Sequence, residues 1–148
     1  MSDHADLKPF PCVISLPVLW GDMDAFGHVN NVRPIRWFEC SRVKFMEDAG
    51  MAEMMKAEKY GPILASVTCD YKRQIKYPDN VHIGARVSRL GRSSMTIDHR
   101  IVSDHHDGIA AEGKSVVVIF DYQTQRPVRI PAEFRATLEQ MQGEIKDS

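Results

Sequence analysis

One segment of this chain constrains its fold more than any other: an acidic turn at residues 20–31 runs directly into a long amphipathic helix. Around and after Pro34, apolar residues recur at three- and four-residue spacing, which predicts a helix over about residues 32–49 with one buried face. Proline is accepted in the first turn of a helix, so its position favours Asn31 as the N-cap. Acids beside the positive start of a buried helix indicate a reaction centre in which a carboxylate acts next to backbone N–H donors.

The periodicity changes from helical to alternating after Pro62. Alternation and turn signals predict four consecutive strands, at residues 63–75, 81–90, 94–103 and 110–122, with a turn at residues 77–80 joining the first two. A final helix is predicted at residues 132–142. An earlier short strand is predicted at residues 13–19, and Pro17 favours a sheet edge for it. Consecutive strands with short turns predict an antiparallel meander, and one apolar helix covers one of its faces, which makes an α+β domain.

The length of 148 residues fits one domain, which we place at residues 12–142 between a flexible N-terminal segment, 1–11, and a C-terminal tail, 143–148. The net charge of −1 gives no reason to expect nucleic acid as a partner. No apolar run approaches the roughly 20 residues that cross a bilayer, and the N-terminus does not read as a secretion signal. Three widely spaced cysteines fit free thiols in a reducing compartment, so we expect a cytoplasmic protein without a membrane partner.

The acidic turn and the helix after it carry a specific pattern. Residues 20–31 read WGDMDAFGHVNN, and residues 36–39 read RWFE. This pattern resembles that of the hotdog-fold acyl-CoA thioesterases, most closely the 4-hydroxybenzoyl-CoA thioesterase type. It consists of an Asp-x-Asp pair, a Gly-x-Val and a helix that carries this tetrapeptide. The resemblance is specific over about residues 13–50, and the layout stays consistent to about residue 135. It implies a hotdog fold, in which an antiparallel sheet wraps around a long central helix.

The same resemblance implies a reaction and the residues that perform it. In this family the second acid of the pair is catalytic, which assigns that role to Asp24, and a backbone N–H at the start of the central helix, here at Asn31, polarises the thioester carbonyl. The implied reaction is the hydrolysis of an acyl-CoA substrate without a cofactor. Pro34 departs from relatives that carry an aromatic residue there, so the acyl group stays open. Exposed sheet edges favour pairing with a second copy, and we expect a homodimer or homotetramer with sites at the interface.

The other residues of the turn have more than one interpretation. Asp22 and Asp24 can both accept hydrogen bonds from the turn backbone, and this structural role is the favoured one for Asp22. His28 can orient a water, contact the substrate, share a proton with Asp24 or cap the helix. Asn30 is a candidate to position the water. Gly27 is a candidate to supply a backbone shape, or a close approach to the substrate, that a side chain would block.

Two further sets of charged residues are candidates. The phosphates of coenzyme A need cations, and the family binds the nucleotide near the turn that holds Arg89, Arg92 and Ser93, although a solvated turn is the alternative. Glu39 is an alternative catalytic carboxylate, because another branch of hotdog thioesterases uses a helix glutamate. Its spacing from Arg36 favours an ion pair on the helix surface instead.

The histidines at positions 99, 105 and 106 match no known set of metal ligands, so no metal site is predicted from them. Two functions of other classes remain open. A hotdog hydratase or dehydratase would act on an enoyl thioester, and a non-catalytic module would bind acyl-CoA without releasing thiol. The turn around Asp24 favours an enzyme over a binding module, whereas the choice between the two enzymes needs a measurement.

Overall fold

The computed structural model describes residues 4–147, with the backbone alone at residues 54, 57, 58, 146 and 147. The helices are α1 (Val32–Asp48), α2 (Met51–Glu58) and α3 (Ala132–Gln142). The strands are β1 (Cys12–Pro17), β2 (Tyr60–Tyr71), β3 (Asn80–Leu90), β4 (Ser94–Ser103), β5 (Gly108–Asp121), β6 (Arg126–Pro127) and β7 (Lys146–Asp147). Short 3-10 turns lie at Ala5–Leu7 and Trp20–Asp22. Residues 1–3 and 148, at the outer ends of the predicted terminal segments, lie outside the described residues.

The strands join one sheet, in which β1, β3, β4, β5 and β2 are neighbours in that order. These pairs are antiparallel, β6 lies beside β5, and β7 adds a short parallel pair to β3. One face of the sheet packs against α1, which contacts β1, β2, β3 and β4. The predicted α+β architecture, an antiparallel sheet wrapped around a long central helix, is confirmed.

The apolar stripe of α1 contributes to two parts of the core. Trp37 and Phe38 pack with Val81 at the start of β3, whereas Phe45 packs with Leu90 at its end. Phe38 and Phe45 have no exposed surface, and burying one such side chain stabilises the fold by about 1.5–3 kcal/mol. The N-terminal and C-terminal ends of α1 therefore lie beside opposite ends of β3.

The predicted meander is wrong for its first strand. β2 pairs with β5 at the sheet edge opposite β1, and it is not paired with β3. The connecting residues 72–79 cross the end of the sheet, because two consecutive N–H groups, at residues 72 and 73, donate to the Ala110 carbonyl. The Ile75 carbonyl accepts a further bond from the acidic turn, so β2 ends at Tyr71 and not at Ile75. Residues 77–80 therefore end a crossover connection between β2 and β3 and do not form a hairpin turn. The other predicted elements lie within a few residues of those observed.

The N-terminal segment packs on the outer face of the sheet. Leu7 and Phe10 are only 4% and 7% exposed. Phe10 covers Gly84, where an added Cβ would lie 2.5 Å from the ring. Residues 4–11, for which the sequence predicts flexibility, are thus attached to the sheet by two apolar side chains, Phe10 at β3 and Leu7 in a cluster with Val102 of β4. At the other end of the chain, the predicted tail contributes the buried Ile145 and the short β7.

Candidate active site

Asp22 holds the acidic turn together from inside. Its carboxylate is buried, and Oδ2 accepts a hydrogen bond from the Leu19 N–H across 2.8 Å. Its Oδ1 lies 3.5 Å from the Arg33 Nε, and its backbone carbonyl accepts the Asn30 N–H. Both carboxylate oxygens and the carbonyl are thus used to fix the turn, which agrees with the structural role favoured from the sequence.

Asp24 lies further along the turn and is half-buried. Its Oδ1 accepts the Phe26 N–H across 2.9 Å, and its Oδ2 accepts the Asn30 side-chain Nδ2–H across 3.2 Å. The backbone closes tightly around it, because the Asp24 N–H donates to the His28 carbonyl and the Gly27 N–H donates to the Asp24 carbonyl. Gly27 has a φ of 80°, in the left-handed region where a side chain is strained. The turn therefore fixes the carboxylate by its own backbone.

Asn31 is the N-cap residue of the central helix by position, as predicted, but the side-chain capping bond comes from Asn30. The sequence predicts the N-cap at Asn31, and α1 does begin at Val32, yet the Asn31 side chain makes no capping bond. Instead, Asn30 Oδ1 accepts the Val32 N–H across 3.0 Å, and the Asn30 carbonyl accepts the Arg33 N–H. The backbone N–H of Asn31 lies between these two bonds and has no hydrogen-bond acceptor among residues 4–147.

This arrangement combines a carboxylate with an unoccupied donor at the positive end of a helix. The aligned peptide dipoles of α1, which has 17 residues, concentrate partial positive charge on its first N–H groups. An N–H that has no acceptor within the protein can bond to an oxygen that becomes negative during a reaction. The Asn30 amide bonds to Asp24 on one side and to the first turn of α1 on the other, so it fixes both groups relative to each other.

A small cavity of about 180 Å³ adjoins the start of α1. His28 and Asn31 contribute polar groups to its wall, and the His28 ring makes no hydrogen bond with any part of the chain that the structure describes. The apolar part of the lining comes from Val29, Pro34, Ile75, Ala110 and Ala111. The cavity thus offers partly apolar space beside Asn31.

Tyr71 belongs to this site, although no sequence pattern selects it. Its hydroxyl donates to the Asn31 carbonyl, and its ring lines the cavity. The bond connects residues that are 40 positions apart, so only the tertiary fold reveals it. Burial, with a smaller effect from Cys69, raises the pKa of Tyr71 to about 12, which keeps the phenol a donor at neutral pH.

The predicted nucleotide-binding residues lie elsewhere in the same protomer. Arg89, Arg92 and Ser93 are at the junction of β3 and β4, beside the C-terminal half of α1. Asp24 is at the other end of this helix, which is about 25 Å long. Arg92 lines a surface groove together with Arg129 and Arg135, which increases the positive charge near the turn. A single chain therefore brings together the residues of the acidic turn but not the two predicted parts of a CoA site.

The remaining candidates have structural contacts. Glu39 forms the predicted ion pair with Arg36, at 2.7 Å on the exposed side of α1. His99 is buried against Phe38 in a stacked arrangement with 4.6 Å between ring centroids, and its Nε2 bonds to Ser115 Oγ across 2.9 Å. Burial, with a smaller effect from a nearby guanidinium, lowers the pKa of His99 to about 3. This histidine is therefore a neutral residue of the core.

The sequence model of the thioesterase-like superfamily matches residues 18–138, from just before the acidic turn to the last helix. This chain belongs to the thioesterase-like superfamily. Among its relatives, the uncharacterized protein YsmA of Bacillus subtilis (strain 168) is 33% identical over 82 residues, which span 55% of this chain and 54% of YsmA. The long-chain acyl-CoA thioesterase FadM of Escherichia coli (strain K12) is 24% identical over 119 residues, or 80% of this chain and 90% of FadM.

Solved structures of the superfamily agree with this membership. A thioesterase from Thermus thermophilus, complexed with coenzyme A and Zn, superposes with a TM-score of 0.81 and 27% identity over 93% of this chain and 98% of its own. This superfamily member is thus a thioester hydrolase with the hotdog fold. Over residues 4–147, no helix combines the length and apolar character that crossing a membrane requires.

Proposed function

We propose that this superfamily member hydrolyses an acyl-CoA thioester to the free acid and CoA, with Asp24 as its catalytic carboxylate. One observation carries the proposal. The Asn30 amide bonds both to Asp24 and to the first turn of α1, next to an Asn31 N–H that has no acceptor among the described residues. A carboxylate and a carbonyl-polarising donor are the two groups that thioester hydrolysis needs.

The reaction follows from these two groups. Asp24 takes a proton from a water molecule while the water oxygen attacks the thioester carbon, and the carbonyl oxygen becomes negative as it accepts the Asn31 N–H. When the C–S bond breaks, the sulfur of CoA leaves with the electron pair, and the proton held by Asp24 passes to it. Direct attack by Asp24 would instead give an anhydride that water cleaves. Single turnover in ¹⁸O-labelled water tests for the anhydride that water cleaves at its aspartyl carbon, because only that route leaves label in the Asp24 side chain. Attack of water on the thioester carbon places the label in the released acid.

We propose that a second copy of the chain completes the site. β2 is a sheet edge with exposed apolar side chains, since Ile63 and Leu64 are 37% and 42% exposed. Two such edges paired about a two-fold axis run antiparallel. The Tyr71 end of one β2, which contacts Asn31, then lies beside the opposite end of the partner's β2.

This pairing brings the predicted nucleotide-binding turn towards the acidic turn of the other protomer. Pro62, at the far end of β2, is paired with Ile119, whose N–H donates to the Ser93 carbonyl. The partner's Arg92 therefore lies on the same side of the dimer as Asp24, within reach of an extended CoA molecule. We assign Arg89, Arg92 and Ser93 to the phosphates of CoA on this basis, since arginine suits phosphate.

Thiol release from a panel of thioesters tests the function. The panel contains short, long and aromatic acyl-CoAs and an enoyl-CoA. It also includes an acyl-acyl carrier protein, because one relative is an acyl-acyl carrier protein thioesterase from Arabidopsis thaliana. We expect release of CoA thiol together with free acid, and the preferred substrate identifies the acyl class. Binding of acyl-CoA without thiol release would contradict the proposal and favour a binding module. Loss of enoyl absorbance without thiol release would contradict it in favour of a hydratase.

A further inference from the structure

A second cluster of chemically reactive side chains lies where the N-terminal segment meets the sheet. His4 precedes the first 3-10 turn, His82 is near the start of β3, and Asp104 follows β4. The Nε2 atoms of both histidines lie 2.9 Å from the same oxygen, Asp104 Oδ1. One nitrogen from each histidine and one carboxylate oxygen all lie within 4.8 Å of one another. Three segments that are distant in the chain thus present three ligand atoms to one point.

The identity and spacing of these atoms fit a transition-metal ion. Imidazole nitrogen and carboxylate oxygen are ligands of Zn²⁺, which holds them at about 2.0–2.2 Å in tetrahedral geometry. Ligand atoms around such an ion are about 3.3 Å apart, so the observed N···O separations need only a small expansion. Two imidazole nitrogens favour an ion of the zinc class over Mg²⁺ or Ca²⁺, which prefer oxygen ligands.

The surroundings of His82 orient it towards this point. Its Nδ1 lies 2.7 Å from Ser15 Oγ, on the neighbouring residue of β1. A hydrogen bond at the second ring nitrogen is the usual support of a metal-binding histidine, because it fixes the ring and selects the nitrogen that faces the ion. His82 is also buried, with 9% of its surface exposed, so its ring is held by packing as well.

A carboxylate also supports the His4 ring. Asp107 Oδ1 lies 3.3 Å from Nδ1 of His4, the ring nitrogen that faces away from Asp104, and the Asp107 side chain is exposed. A tetrahedral ion held by three side chains accepts a water molecule at the remaining position. The acidic character of the turn at residues 104–107 favours a divalent cation there.

We propose that His4, His82 and Asp104 form a binding site for Zn²⁺ or a chemically similar divalent ion. An ion at this place links the N-terminal segment to β3 and to the turn after β4. It therefore stabilises the packed position of residues 4–11. The site lies outside the acidic turn, and the proposal does not depend on the proposed thioesterase function.

The test is metal titration of the full chain, freed of any histidine tag and of metal. Isothermal titration with Zn²⁺, and Co²⁺ absorbance as a reporter of ligand geometry, are measured at about pH 7.5. We expect one saturable site that raises the melting temperature. His4→Ala and Asp104→Asn each remove a ligand near the surface and lower the affinity by at least about 100-fold, whereas Ser15→Ala lowers it about 10–100-fold.

His105→Ala is the matched control, because His105 lies in the same turn and is not a member of the cluster. It leaves the affinity unchanged. Absence of saturable Zn²⁺ binding, or binding that survives both His4→Ala and Asp104→Asn, would overturn the proposal. Thioesterase activity of the metal-free protein reports separately on the function of the acidic turn, so failure of one proposal does not mimic failure of the other.

Discussion

Asn30 donates a hydrogen bond to Asp24 Oδ2 across 3.2 Å. The oxygen of the same amide accepts the Val32 N–H across 3.0 Å. This single side chain therefore connects the proposed catalytic carboxylate to the first turn of the central helix. The Asn30 side chain accepts the Val32 N–H, whereas the preceding N–H, that of Asn31, has no acceptor among the described residues.

Two substitutions at Asn30 separate its two bonds. Asn30→Ala removes both, so we expect a loss of about 1 kcal/mol in the free energy of unfolding, as for other helix caps, together with a lower kcat. Asn30→Asp keeps an oxygen for the Val32 N–H but replaces the donor to Asp24 by a second carboxylate oxygen. The cap is therefore retained, repulsion between the two carboxylates offsets part of its stabilisation, and kcat falls. Chemical denaturation and steady-state kinetics measure the two effects. Wild-type kcat in Asn30→Asp would show that the bond to Asp24 has no part in the reaction.

Tyr71→Phe removes the hydroxyl that donates to the Asn31 carbonyl. The ring still lines the cavity, and the side chain is about half exposed, so the free energy of unfolding changes by no more than about 1 kcal/mol. We expect kcat to fall several-fold with little change in KM, because the hydroxyl positions the peptide that follows the oxyanion donor. A change confined to KM would assign Tyr71 to substrate binding instead.

Stability should depend on pH through His99. Unfolded histidine binds a proton near its ordinary pKa of about 6.5, whereas burial keeps the folded residue neutral down to about pH 3. Between these two pKa values the unfolded state binds more protons than the folded state, so the free energy of unfolding falls as the pH falls. The expected loss is about 1.4 kcal/mol between about pH 8 and pH 5.5.

Urea denaturation of wild type and His99→Gln over this range measures the contribution. The variant has a lower stability at all pH values, since it disturbs the contacts with Phe38 and Ser115. Its free energy of unfolding should nevertheless depend less steeply on pH. The difference between the two slopes corresponds to at most one proton bound on unfolding. Equal slopes in the two proteins would mean that His99 is protonated in the folded state.

The proposed dimer is tested at the exposed edge strand. Leu64→Lys places a charge on β2 where a second β2 would cover it. We expect sedimentation velocity to show monomers and activity on acyl-CoA to be lost, because the partner's phosphate-binding turn is removed. Gln123→Lys adds the same charge to an exposed turn and serves as the control. A Leu64→Lys protein that is monomeric and fully active would contradict a site shared between protomers.

The sequence predicts some parts of this molecule well because the deciding interactions are local. The boundaries of α1 follow from its apolar spacing and from Pro34, and the Asp22 contacts are those of an ordinary turn aspartate. The pairing of β2 with β5 could not be predicted from alternation, since it depends on the crossover bonds to Ala110.

Prediction from the sequence is limited in the same way for the side chains of the site. Two adjacent asparagines both suit a helix cap, and the sequence does not distinguish Asn30, which makes the capping bond and also contacts Asp24, from Asn31. The contact of Tyr71 with Asn31 joins two elements that are distant in the chain, and no local pattern marks it.

The central claim is that Asp24 performs the chemistry, and the kcat for thiol release by Asp24→Asn tests it most directly. Asparagine keeps an oxygen that accepts the Phe26 N–H but loses the acceptor of the Asn30 Nδ2–H. Circular dichroism should therefore match that of wild type, and the free energy of unfolding should fall by no more than about 1 kcal/mol. Glu139→Gln, which neutralises an exposed carboxylate on α3, away from the acidic turn and from β2, is the control and should retain full activity. We predict that Asp24→Asn lowers kcat by about 10²–10⁴-fold, and a folded variant with kcat within about twofold of wild type would contradict the claim.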